Sequence, residues 1–184
     1  VIETTVGGIH GYWVKSNRQS ASGARPVLLN LSGGGFTIGQ ANPLGLIEAI
    51  PVAATTGYDV LTIDYAQAPE AVFPAASDDV TAVYRALLQS HSPGRIGIYG
   101  CSAGGLLTAQ ALARFQRDGL PTPGAAAVLC ASADGLWAGD SWHWQKPLMG
   151  QDKPPSLDEE AYYGGGSGVE VALEWNLLNS YTGL

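Results

Sequence analysis

The sequence predicts an α/β fold: a mostly parallel sheet with helices on both faces. Three observations predict it. Strand-like and helix-like segments alternate along residues 1–131. The strand-like segments are continuously apolar rather than alternating, as strands covered on both faces are. Glycine is abundant, 25 of 184 residues, which suits many tight strand-to-helix turns. A composition of 46% apolar and 14% charged residues is that of a globular chain, and the length suffices for one domain with a substantial core.

The elements follow in order. The chain opens directly in strand-like sequence, and residues 9–15 suit an early strand. Residues 16–25 form a polar loop, and 26–31 (PVLLNL) a short buried strand followed at once by SGGGF. Residues 43–57 have helical spacing but contain Pro51, so that helix is expected to break or begin late there. Residues 58–65 (YDVLTIDY) are rich in β-branched and aromatic residues and predict a strand. A proline-containing loop leads into a helix over 75–90, with Ser77 as its N-cap. After the turn HSPGR comes a strand over 96–101, then a helix from Ala103 to about Asp118 that stops at Gly119. Residues 124–131 predict one more buried strand. Beyond Ala131 the character changes: Trp137, Trp142, Trp144 and Trp175, several prolines and a GGGSG run give no βαβ signal. The expected division is a core over 1–131 and a cap-like or irregular Trp-rich segment over 132–184. Cys101 and Cys130 each adjoin an apolar run, so two buried free thiols are expected, and with them a reducing, cytoplasmic setting.

The chemistry-bearing stretch is residues 96–107, IGIYGCSAGGLL. Strand, sharp turn and helix place Ser102 at the apex of a nucleophile elbow, where flanking glycines avoid collision with strand and helix. The turn lifts the hydroxyl clear of the sheet and aims the first free N–H groups of the helix beside it. Cys101, one residue before the apex, points back into the sheet and is not expected to be the nucleophile. Ser32-Gly33-Gly34-Gly35-Phe36, directly after an earlier strand, can present backbone N–H groups to an oxyanion because no side chain blocks approach. As a flexible turn alone it would mean little; paired with the elbow it suggests an acyl-transfer site.

Three motifs in order, SGGGF, DYAQAPEAVFPAASDD and GCSAGG, resemble the hormone-sensitive-lipase-like branch of α/β-hydrolase esterases, which read HGGGF, DYRLAPE with FPA, and GDSAGG. The resemblance covers about residues 5–135. It implies the α/β-hydrolase fold and, without a cofactor or metal, hydrolysis of short or medium carboxylic esters or lactones through an acyl-enzyme on Ser102. By position, Gly34, Gly35 and Ala103 would supply the oxyanion N–H groups. Asp64, Glu70 and Asp79 would hold loops and helices together. Ser32 replaces the family's His and Cys101 its Asp, so the support of the glycine loop must differ. Phe36 and Phe73, with the late tryptophans, are candidates for an apolar acyl or alcohol pocket, or for plain core.

A serine nucleophile needs a base and an orienting carboxylate, in this fold in the order Ser, acid, His. His10 and His91 read as structural or solvent-facing. Only His143 follows Ser102, with Asp134 or Asp140 able to orient it; the alternative is an aromatic lid. The resemblance places acid and His later than this chain reaches, and a helical cap before Val1. The triad partners are therefore expected from a C-terminal segment or a second chain, and a homodimer is compatible with this. Without a base, the same scaffold would be a non-catalytic module binding a small molecule or a partner. The net charge of −7 and the absence of a Lys/Arg cluster argue against a nucleic-acid partner, and no apolar run reaches membrane-spanning length.

Overall fold

A computed structural model describes residues 1–17 and 25–131. Among the described residues, six strands form one sheet in the order β1-β2-β4-β3-β5-β6. They are β1 (Ile2–Val6), β2 (Ile9–Val14), β3 (Val27–Leu31), β4 (Asp59–Ile63), β5 (Ile96–Cys101) and β6 (Ala125–Leu129). Strands β4, β3, β5 and β6 are mutually parallel, while β1 and β2 form an antiparallel hairpin whose second strand pairs antiparallel with β4. The parallel strands are joined through α1 (Leu46–Thr56), α2 (Ala75–Leu87) and α3 (Ala103–Arg117). The mostly parallel α/β sheet read from the sequence is the sheet observed.

Side chains alternate across each strand, and β3, β4 and β5 are covered on both faces, which is why they are largely apolar. Strand β6, predicted as buried, is not: Ala125, Ala126 and Leu129 are exposed at the end of the described sheet. Val60 of β4 and Tyr99 of β5 join Val14, Ala49 and Ala53 in one cluster, on the face covered by α1. The next residue along β5, Gly100, faces the other way, onto the backbone of Gly104 in α3. On that side the rings of Tyr84 in α2 and Phe115 in α3 stack with centroids 4.2 Å apart, and the Tyr84 hydroxyl donates to the Pro121 carbonyl at 2.7 Å.

Two local expectations are corrected. Helix α1 neither breaks at Pro51 nor begins late: it starts at Leu46, after a wide turn over Ala41–Gly45, and runs through the proline. Pro51 is solvent-exposed, so the carbonyl that loses its N–H partner lies near water, and the helix tolerates the ring. Ser77 does not cap α2. The helix begins two residues earlier, with Pro74 as the preceding residue and Asp78 N–H donating to the Pro74 carbonyl at 2.9 Å. Ser77 is buried within it, 3.4 Å from Gln110 Oε1. The expected stop of α3 is present, with Gly119 at φ 67°. Residues 132–184, the proposed Trp-rich segment, lie outside the described residues, as do 18–24.

The hairpin is tied to the sheet by His10. Its Nδ1 meets Asp64 Oδ2, just beyond β4, and its Nε2 meets Glu3 Oε1 on β1 at 2.9 Å. The hydrogen bond to Asp64, then that to Glu3, raises the His10 pKa above the ordinary imidazole value. A raised folded-state pKa means that this clasp contributes fully below about pH 6.5 and is lost as pH rises through the raised value. Denaturant midpoints are expected to fall across that window in the native protein and to be flatter in His10→Gln. A second expectation concerns Gly104, where a β-carbon would overlap the Leu31 carbonyl oxygen. Gly104→Ala should destabilise by at least about 1–3 kcal/mol in urea unfolding, because backbone rather than a pliable side chain must yield.

Candidate active site

Strands β3 and β5 are adjacent and parallel, with Leu31 opposite Gly100. The loops that follow them therefore leave the same edge of the sheet side by side. One is the SGGGF loop and the other the turn at Ser102. Their closeness is direct: a β-carbon at Gly33 would stand 3.5 Å from Ser102 Cβ and 3.1 Å from the Cys101 carbonyl oxygen.

Ser102 has φ 55° and ψ −121°, a conformation that costs a residue other than glycine on the order of 1–3 kcal/mol. Its N–H donates to the Leu129 carbonyl of β6 at 2.9 Å. The side chain is exposed and makes no capping hydrogen bond to α3. The turn thus spends its strain on presenting a hydroxyl. At the head of α3 the Ala103 N–H has no hydrogen-bond partner among the described residues, as expected for the first turn of a helix.

The glycine loop is closed on itself and on its neighbours. Ser32 is fully buried, and its Oγ donates to the Gly39 carbonyl at 2.9 Å, bridging the base of the loop. Gln67 clamps Gly39 from the side: its Oε1 accepts the Gly39 N–H at 2.8 Å and its Nε2 donates to the Gly39 carbonyl at 2.6 Å. The Tyr65 hydroxyl donates to the Ser32 carbonyl at 2.7 Å. The Ala68 N–H donates to the Phe36 carbonyl at 2.8 Å. Gly34 sits at φ 123°, and a side chain there would meet the Gly39 backbone nitrogen at 2.5 Å, so only glycine serves. The Gly34 carbonyl accepts the N–H groups of Thr37 and Ile38, each at 3.0 Å. The Gly34 and Gly35 N–H groups, like that of Ala103, have no partner among the described residues.

Other sequence-derived residues fall into place or out of it. Asp79 accepts the Ala66 N–H at 2.8 Å and so pins the loop after β4 to α2; burial raises its carboxyl above the usual range against the pull of that bond. Asp64 accepts the Ala41 N–H and holds His10. Glu70 is exposed and makes no hydrogen bond among the described residues, so the holding role expected of it is not observed. Phe36 is no pocket wall: it is fully buried at φ 60°, edge-on to Tyr65 with centroids 6.2 Å apart. Phe73 is 41% exposed. His91 meets its neighbour Ser90 Oγ at 2.9 Å, in the turn at the other end of β5 from Ser102. His143, Asp134 and Asp140, and the four late tryptophans, lie outside the described residues. Sequence reasoning missed two supports. Glu48 of α1 accepts the Gly33 N–H at 3.1 Å, and Gln67 clamps Gly39. Gln67 lies within DYAQAPE, where the pattern it resembles reads Leu, and Glu48 belongs to no motif; an acid in the first turn of a helix after a glycine loop is the hint the sequence offers for Glu48.

A family model described as the α/β-hydrolase fold matches residues 28–165. An acetyl-hydrolase of Streptomyces hygroscopicus is 39% identical over 132 residues, covering 71% of this chain and 42% of that protein. A carboxylic ester hydrolase, LipN, of Mycobacterium tuberculosis is 35% identical over 120 residues, covering 58% of this chain and 31% of its own length. The chain thus spans less than half the length of these curated relatives. Among solved structures, an esterase/lipase from an uncultured bacterium superposes with a TM-score of 0.69 at 33% identity, covering 80% of this chain and 50% of that one. A hormone-sensitive lipase from a metagenome library gives 0.62 at 36% identity, covering 67% and 40%. No helix among the described residues is long and apolar enough to cross a membrane.

The cysteines differ from expectation in one respect. Both are free, but only Cys101 is partly buried; Cys130 is exposed, at φ 53° just past β6. Burial first, then the neighbouring Cys130 thiol and the Glu48 charge, push the Cys101 thiol up to about 11. At neutral pH that thiol is protonated and a poor nucleophile. Iodoacetamide near neutral pH should therefore modify Cys130 well before Cys101, read by peptide mass spectrometry; faster labelling of Cys101 would contradict the assigned environment.

Proposed function

The chain belongs to the α/β-hydrolase family, on its hormone-sensitive-lipase-like branch, and from that premise we propose that it is a serine carboxylesterase of short- or medium-chain esters or lactones. One observation carries the reading. An exposed serine in a strained turn stands beside the glycine loop, and the N–H groups of Gly34, Gly35 and Ala103 have no partner among the described residues. Ser102 Oγ attacks the ester carbonyl carbon, and its proton passes to a base. The carbonyl oxygen takes the negative charge and receives the N–H groups of Gly34, Gly35 and Ala103. Collapse expels the alcohol, which recovers the proton; water then attacks the acyl-enzyme in the same way and frees the acid. Every step is a proton and acyl transfer, so no cofactor is called for.

The base and its carboxylate come from outside the described residues: His143 with Asp134, or a further segment or second chain. The name acetyl-hydrolase given to a relative supports a small acyl group. Two free thiols support a cytoplasmic setting.

The test is release of p-nitrophenol from acetate and butyrate esters by the full protein, with covalent labelling by a fluorophosphonate. Ser102→Ala should lower turnover at least about 10³-fold and abolish labelling. Undiminished hydrolysis by that variant would overturn the assignment. Ligand binding that survives the substitution, with no label on the native protein, would instead make the scaffold a binding module.

A further inference from the structure

The glycine loop of this chain carries neither the histidine nor, beside the nucleophile, the aspartate found in the motifs it resembles. Beside the bridge from Ser32 to Gly39, a second support comes from α1. Glu48, in the first turn of α1, reaches under the loop: its Oε1 accepts the Gly33 N–H at 3.1 Å and its Oε2 accepts the Asn30 side-chain N–H at 2.8 Å. Asn30 Oδ1 in turn accepts the Thr62 hydroxyl at 2.9 Å. Asn30 and Thr62 are both fully buried, on neighbouring strands β3 and β4. Hydrogen bonds in such low-dielectric surroundings are strong and costly to break. The chain Thr62, Asn30, Glu48, Gly33 thus runs from the sheet interior to the first glycine of the loop.

We infer that Glu48 is the positioning residue of the glycine loop, holding the Gly33 N–H so that the next two N–H groups, of Gly34 and Gly35, face the oxyanion. The inference rests on the esterase reading for its catalytic consequence. Three consecutive N–H groups lie at the start of this loop. The first is occupied by the carboxylate, while the following two have no partner among the described residues. Fixing the first peptide plane restricts the rotation available to the second. The anchor stands close behind the nucleophile as well: the Glu48 charge adds to burial in raising both the Tyr99 hydroxyl and the Cys101 thiol. What the loop requires of residue 48 is an acceptor oxygen on Gly33. Glutamine can provide this if the Asn30 amide turns over, so that Asn30 accepts from residue 48 and donates to the Thr62 hydroxyl.

The experiment compares Glu48→Ala and Glu48→Gln in the full protein, with kinetics normalised to fluorophosphonate-titrated sites. In Glu48→Ala, kcat per titrated site should fall about 10- to 100-fold with KM little changed, since displacement of catalytic donors by about 1 Å acts mainly on the transition state. Affinity for a trifluoromethyl ketone, whose adduct mimics the oxyanion, should fall in parallel. Amide exchange of the peptide covering residues 32–39 should quicken. Glu48→Gln should keep kcat within about threefold and exchange near native, because the acceptor is preserved. Unchanged kcat and exchange in Glu48→Ala, or equal losses in both variants, would overturn the inference. If the native protein neither hydrolyses esters nor takes the label, the esterase reading falls, and amide exchange still decides whether Glu48 holds the loop.

Discussion

The contact on which the rest of the site depends is the approach of α3 to the end of β3. Gly104 lies so close to the Leu31 carbonyl that no β-carbon fits between them, and a β-carbon at Gly100 would likewise overlap the Gly104 carbonyl. Backbone touches backbone at three points that belong to β3, β5 and α3. That contact sets the depth at which α3 enters, and hence the position of Ser102 at its head. It also sets where β3 ends and the glycine loop begins. Parallel pairing of Leu31 with Gly100 fixes the register of the two loops, and the glycine contact fixes their spacing. The esterase reading we propose needs a hydroxyl and several N–H groups gathered around one carbonyl, and main-chain packing would supply both, with little left to side-chain conformation.

The glycine loop shows how a conformation that most sequences avoid is made to persist. Gly34, Gly35 and Phe36 all have positive φ. Local preference does not hold them there; groups from four directions do. Ser32 closes the base, Gln67 grips Gly39, Tyr65 holds the Ser32 carbonyl and Glu48 takes the Gly33 N–H. These groups lie on three segments, the end of β3, the loop after β4 and α1, and those segments are themselves fixed, as when Asp79 ties the loop after β4 to α2. The strain at Ser102 is met similarly, through the N–H bond to Leu129. Strain persists at both turns because the surroundings overdetermine them.

The fold was legible because its signals are local or periodic. Continuous apolar runs betray strands covered on both faces, and Gly119 ends α3 by backbone conformation alone. The elbow was legible for the same reason, since strand, Gly-Cys-Ser-Ala-Gly and helix are contiguous. What was not legible depends on contacts distant in sequence. Pro51 reads as a helix breaker unless one knows that its turn faces solvent. Ser77 reads as a cap until the helix proves to begin at Ala75, just after Pro74. Phe36 follows the glycines and so resembles a pocket residue, yet its ring turns inward to meet Tyr65, 29 positions later. Glu48 and Gln67 matter only because the sheet order brings α1 and the loop after β4 against the end of β3. Cys130 ends an apolar run but lies past the last paired residue, where the chain turns outward.

The buried ring of Phe36 has a further consequence, for how often the loop is in its working shape. Moving that ring into water would cost about 1.5–3 kcal/mol. By that contribution alone, the undocked loop is confined to roughly one molecule in ten to one in 150. The hydrogen bonds at Ser32, Gly39 and Ala68 must break in the same excursion, which makes it rarer still. On the proposed esterase reading, an ester arriving at Ser102 meets a loop that is already folded, and almost none of its binding energy is diverted to folding it.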